Sequence, residues 1–254
     1  MHARFFLLAL FGLATGVLTV LTGGGGGLVY TAVLTACFGI PGPTAASCSL
    51  ATMFPTLLFG SHNHWKRGHV RIEIGTSMTL AGACGCLAGS LWSVHVPRTI
   101  YQGLLSAILL VSGLTVFVKR NPTGENQAGT RKARARAIAL GSLGGLLAGM
   151  FGMSGSAPII AALASFGLNA VEVIGTSVVV LAGISFAGLL AHSRIGTTDW
   201  TLTALLLAGT IPGAWIAPLL LNRIGREAIE RYFLPVIATV LIIMAVYLLW
   251  SAVH

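Results

Sequence analysis

Long apolar stretches dominate the chain, and the breaks between them recur. Apolar segments run over about 5–22, 28–39, 44–61, 72–94 and 99–118, then again over about 137–151, 157–167, 171–191, 200–221 and 232–252. None alternates with the period of two that a barrel strand needs, so each predicts a helix. A membrane span takes roughly 20 residues. Segments 28–39 and 157–167 fall short of that length, and 137–151 is marginal. These three are expected to be half-helices that enter the membrane and stop.

The two sets are copies of one another. Phe38-Gly39 returns as Phe166-Gly167, Ser49 as Ser177, Gly60 as Gly188, His64 as His192 and Gly68 as Gly196, all 128 residues apart. Leu80-Ala81-Gly82 returns as Leu207-Ala208-Gly209 after a one-residue slip. The matches fall on Gly, Ser and His, which are not the filler of a membrane helix. Glycine-rich breaks precede both copies, Gly23 to Gly27 in the first and Gly152-Met153-Ser154-Gly155-Ser156 in the second. A duplicated hydrophobic chain, broken at equivalent places, is the pattern of a secondary transporter. The expected fold is an all-α polytopic membrane protein with two inverted repeats of about five segments. Repeat one covers 1–120 and repeat two 137–254, joined by a linker over 121–136 that is rich in turn residues.

Composition makes the lipid bilayer the partner. Charged residues are 8% of the chain, against about 25% in a soluble domain. Such a chain could not cover its own surface with polar groups in water. The net charge of +9 is clustered, with nine of the fifteen Lys and Arg at Lys66, Arg67, Arg71, Lys119, Arg120, Arg131, Lys132, Arg134 and Arg136. Basic loops of this kind mark the cytoplasmic face rather than a nucleic-acid site. The 95–98 loop holds only Arg98 and is expected outside. In repeat two, 192–199 has Arg194 alone, while 222–231 has Arg223, Arg226 and Arg231. The His64 loop then lies inside and the His192 loop outside, which inverts the repeats and puts both termini outside. A bacterial-type inner membrane is the expected location. Residues 5–22 follow a thin charged start and resemble a signal peptide. They also align with Ala139–Phe151, so they are assigned to the fold. Cys37, Cys48, Cys84 and Cys86 sit in apolar runs and are read as small hydrophobes. No cofactor and no metal is expected, since repeat two keeps only one counterpart of His62, His64 and His69.

Candidate chemistry concentrates at the breaks. Each Gly inside a helix costs roughly 1 kcal/mol relative to Ala, so Gly23, Gly24, Gly25, Gly26 and Gly27 need a reason to stand together. Bare backbone can approach an anion, with the positive end of the following short helix aimed at the same place. Close helix packing is the rival account, and it fits Gly12 and Gly16 or Gly145 and Gly149 better. Ser154 and Ser156 add hydroxyls at the second break, as anion donors or as helix caps. Ser49, Thr176 and Ser177 stand near span starts, where a hydroxyl either completes the site or bonds its own helix. Glu172 is a proton-coupling candidate or a carboxylate favoured by the helix dipole. His64 and His192 are candidates for gating or proton handling, or bases complementing a helix C-terminus.

Taken together, these motifs resemble the TauE/SafE family of sulfite and organosulfonate exporters. The residues that carry the resemblance are Thr22–Gly27, Ser47–Ser49 followed by Pro55, and Ser61–Gly68, with second copies at Gly149–Pro158, Gly175-Thr176-Ser177 and Ala191–Gly196. The resemblance implies a membrane exporter of small sulfur-containing anions such as sulfite, thiosulfate or sulfonates. Ser47-Cys48-Ser49 departs from the family's usual Gly-Thr-Ser. Two other functions compete. Gly152-Met153-Ser154-Gly155 with His192 superficially resembles a rhomboid-type intramembrane serine protease, although His64 has no paired serine. An anion channel is the other.

Overall fold

The computed structural model describes residues 2–21, 26–117, 131–153, 156–224 and 234–253. Every element among them is a helix: α1 (His2–Leu21), α2 (Gly26–Ala36), α3 (Gly42–Lys66), α4 (Ile72–Ser93), α5 (Arg98–Phe117), α6 (Arg131–Phe151), α7 (Ser156–Ser165), α8 (Ala170–Ile195), α9 (Trp200–Ile224) and α10 (Leu234–Val253). The two short segments are half-helices, as their lengths imply. The third begins earlier than its apolar run. α6 starts at Arg131 rather than near 137, which gives it 21 residues, but its first turns are basic and it is not among the described helices long and apolar enough to cross. Its first turns are Arg, Lys and Ala, which are strong helix formers, and they carry the helix into the polar stretch.

The repeats are inverted, and the helix contacts prove it. α3 and α8 are counterparts, and they pack antiparallel. A Cβ on Gly60 would stand 3.0 Å from Val178, and one on Gly188 would stand 2.6 Å from Leu50. Each contact is the other's image under the 128-residue offset. Phe54 stacks on Phe186 between them, with centroids 5.1 Å apart. Counterparts that cross antiparallel about a common point require a two-fold axis in the membrane plane.

The repeats also exchange their first helices. α1 packs against α9, and α6 against α4. Both pairs run parallel, since Gly12 meets Leu206 and Gly16 meets Thr210, while Gly141 meets Met78 and Gly145 meets Gly82. Offsets of 128 and 129 residues turn one seam into the other. At Gly145 even a methyl group would run into the Gly82 carbonyl, so backbone lies on backbone. This is the close packing expected at Gly12, Gly16, Gly145 and Gly149.

Glycine ends the corresponding turns alike. Gly39 and Gly167 have φ of 66° and 72°, and Gly68 and Gly196 have φ of 70° and 78°. Two buried clusters fill the interior, one around α3, α7 and α8, the other joining α2, α5, the end of α6 and α10. Large apolar side chains such as Leu80, Trp215 and Trp250 point outward. Ile72–Ser93, Val171–Ile195 and Trp200–Ala217 are long and apolar enough to cross a membrane. Cys48 and Cys86 are buried, Cys37 and Cys84 exposed, and all four are free.

Candidate functional site

A helix that stops inside a membrane leaves carbonyls with no water to satisfy them. At the end of α6 the protein supplies the partners. The Gly152 N–H donates to the Ala148 carbonyl at 2.8 Å. His192 Nε2 reaches the Gly149 carbonyl at 3.0 Å. The Tyr101 hydroxyl donates to the Met150 carbonyl at 2.9 Å. The Ser49 hydroxyl donates to the Gly152 carbonyl at 2.8 Å. Three other helices, α8, α5 and α3, therefore hold this break open. Gly152 has φ of 62°, and a Cβ there would overlap the Ala46 backbone of α3. Only glycine fits both demands.

Ser49 also lies 3.3 Å from the Gly27 carbonyl, at the start of α2. A hydroxyl has one proton, so the 2.8 Å bond to Gly152 is the principal one and Gly27 shares it. Ser49 thus brings the two breaks together, as a clasp between carbonyls. Gly26 and Gly27 are buried and open α2. Ser156 opens α7, and Met153 is buried beside Gly152. Each break therefore delivers the positive end of a short helix into the interior. Gly23, Gly24, Gly25, Ser154 and Gly155 lie outside the described residues.

Other candidates stand elsewhere. Ser177 donates to the Ile174 carbonyl of its own helix at 2.9 Å. Thr176 accepts the Arg71 N–H at 3.0 Å, tying down the α3–α4 loop. Glu172 forms a capping box with Asn169 and a 2.6 Å ion pair with Arg71, whose side chain is 59% exposed. That geometry is the helix-start role rather than a buried acid. Near the start of α3, Ser47 lies 2.5 Å from the Thr198 hydroxyl in the α8–α9 turn, much as Thr176 near the start of α8 meets Arg71 in the α3–α4 turn.

His192 is fully buried, with Nδ1 2.9 Å from the Thr197 hydroxyl. A carbonyl can only accept, so Nε2 carries a proton, while Nδ1 faces a hydroxyl that can donate or accept. Its twin His64 is arranged differently. Position 69, the image of Thr197, is a histidine, and the two rings lie 5.8 Å apart. Both Nδ1 atoms are buried without a partner. Among the described residues no three His, Cys, Asp or Glu side chains converge.

Four hydroxyls flanking the first break escape the repeat comparison. Thr15 and Thr19 bond back along α1, and the Tyr30 hydroxyl bonds Thr210 of α9. A Cβ on Gly26 would run into Thr19 Oγ1. Their images are Gly144, Ala148 and Pro158 in repeat two and, for Thr210, Gly82 in repeat one, so duplication does not reveal them. Threonines four apart in an apolar helix are the one available signal.

Residues 8–248 match the family model described as Sulfite exporter TauE/SafE. The chain is 28% identical to "Probable membrane transporter protein YdhB" of Bacillus subtilis (strain 168), over 90% of this chain and 96% of that one. A "Probable membrane transporter protein" of Xylella fastidiosa (strain 9a5c) is 25% identical, over 96% and 92%. "Probable membrane transporter protein YjnA" of B. subtilis (strain 168) is 28% identical, over 87% and 92%. No solved structure matches.

Proposed function

The chain belongs to the sulfite exporter TauE/SafE family and is a membrane transporter; on that premise we propose that it moves small sulfur-containing anions by alternating access. Sulfite, thiosulfate and organosulfonates are the substrate class, and export is the working direction. The observation that carries this reading is the clasp. Ser49 joins the end of the second break to the start of α2. Both breaks meet near the crossing of α3 and α8, where motion of one repeat against the other would open either side in turn.

No Lys or Arg occurs within either break. Positive potential must come from amide N–H groups and the ends of α2 and α7. Such a site binds an anion and still releases it. Ser154 and Ser156 add donors, Thr176 and Ser177 frame α8, and Gly23 to Gly27 provide close backbone. Proton coupling is assigned to His192, which joins the break at Gly149 to the α8–α9 turn at Thr197. The repeats span 1–120 and 137–254, the basic loops face the cytoplasm of a bacterial-type inner membrane, and both termini lie outside. The parallel α1–α9 pair and the antiparallel α3–α8 pair support that arrangement.

The test is purified protein in liposomes challenged with sulfite, thiosulfate, sulfoacetate, acetate and phosphate, with and without a pH gradient. Flux of sulfur anions alone is expected. Flux of acetate or phosphate without any sulfur anion defeats the substrate class, and flux indifferent to pH gradient and voltage defeats proton coupling.

A further inference from the structure

At the end of the bundle away from the basic α3–α4 loop lies a cavity of about 260 Å³. It opens between the ends of α2 and α4 and the starts of α3 and α5. Thr35, Pro43, Ser93, Arg98, Tyr101 and Gln102 are among its walls. Arg98 is the charged residue in that lining. Thr35 is 7% exposed, and its hydroxyl is buried without a partner. An unpaired buried hydroxyl costs free energy, so something normally satisfies it.

The fold itself does not require this polarity. The image of Thr35 in repeat two is Leu163, which is fully buried in the core. A leucine can therefore occupy this position on the half-helix, and repeat one has a hydroxyl instead. Asp199 stands at the same end of the bundle, but its carboxylate caps α9 through the Leu202 N–H at 3.0 Å. The cavity also touches the transport machinery. Tyr101 forms part of its wall and bonds the Met150 carbonyl at the second break. The far end of α2 places the cavity one half-helix, about 16 Å, from the start of that helix at the first break.

We propose that this cavity is a docking vestibule for a small oxyanion, with Arg98 as its fixed cation and Thr35 as its buried hydroxyl donor. The anion pairs with the guanidinium, accepts the Thr35 hydrogen bond, and waits one half-helix from the breaks. A fixed cation raises local anion concentration where the breaks have none. Room remains for several waters, so the ion need not shed its hydration at this stage. The identity of the ion as a sulfur oxyanion rests on the transport reading above; the site itself does not.

The experiment uses the full chain in detergent and in proteoliposomes of phosphatidylcholine, with and without phosphatidylglycerol. Thiosulfate is titrated against chloride at equal ionic strength, and thermal unfolding is followed. Thiosulfate should stabilise the protein. Arg98→Gln should raise the half-saturating concentration roughly tenfold and Thr35→Val roughly fivefold, as loss of a charged and a neutral hydrogen bond imply. Arg98→Lys should restore most of the difference. In flux assays from that face, KM should rise by similar factors with Vmax little changed. Unaltered thiosulfate affinity in both variants overturns the vestibule. So does stabilisation that needs phosphatidylglycerol and ignores thiosulfate, since the occupant is then a lipid headgroup. No thiosulfate-specific stabilisation of the unmodified protein overturns it too. Binding that depends on both residues, with no sulfur-anion flux, upholds the vestibule and sinks the transport reading.

Discussion

Ser49 and Ser177 are the same position in the two repeats, yet their replacement should have unequal consequences. Both side chains are buried. Ser177 bonds a carbonyl in its own helix, three residues back. That carbonyl lies within α8, so losing the hydroxyl should cost at most about 0.5 kcal/mol. Ser49 instead serves carbonyls outside its helix, at Gly152 and Gly27. Ser49→Ala leaves the buried Gly152 carbonyl without that donor. Unsatisfied buried carbonyls cost about 1–3 kcal/mol, and measured side-chain bonds in membrane bundles reach about 1.7 kcal/mol. A loss of about 1–2 kcal/mol is therefore expected for Ser49→Ala, or a factor of roughly 5–30 in the folded fraction. Reversible unfolding in mixed micelles measures it. Amide exchange reports where it acts, with faster exchange expected at the first turns of α2 and α7. Equal destabilisation by the two alanines, within about 0.3 kcal/mol, would refute the clasp. So would unchanged exchange at those turns.

Three further outcomes follow from the same geometry. His192→Leu should cost about 1–3 kcal/mol by stranding the Gly149 carbonyl, while His64→Leu should cost less because its Nδ1 has no partner to lose; denaturant titration of both variants decides it. Gly145→Val should abolish accumulation in membranes because the α4–α6 seam has no room there, whereas Gly103→Ala, with open space at its Cβ, should gain up to about 1 kcal/mol. Membrane yield and melting temperature test that pair. Glu172→Gln removes an ion pair whose arginine is 59% exposed, so the loss should stay below about 1 kcal/mol and flux should persist; abolished flux in a well-folded variant would return Glu172 to the proton pathway.

Much of the architecture could be read from one dimension. Spans follow from apolar length, since each must match the bilayer with its own residues. The repeat is visible because glycines at 39 and 167, and at 68 and 196, serve turns whose φ other residues resist. Inversion was legible from Lys and Arg counts, since loop charge depends on which side a loop faces. The start of α6 was not, because Arg and Lys favour helix whether or not membrane surrounds them. Sequence left Glu172 two roles, proton coupling or a helix-start carboxylate, and the bonds to Asn169 and Arg71 place it at a helix start.

Only the tertiary structure decided what the matched residues do. Ser49 and Ser177 are the same letter in the same repeat position, but hydrogen bonds depend on which acceptor lies within about 3 Å, and pattern does not encode that distance. The exchange of α1 and α6 between repeats is equally invisible in sequence, since glycines at 12, 16, 141 and 145 announce close contact without naming the partner. Tyr101 and Thr35 carried no signal at all. The first matters because a carbonyl 49 residues away needs a donor, the second because a cavity lies beside it. Local composition sets which segments enter the membrane and where they break. Long-range packing alone sets which side chain satisfies each broken end, because in a bilayer no water can substitute for it.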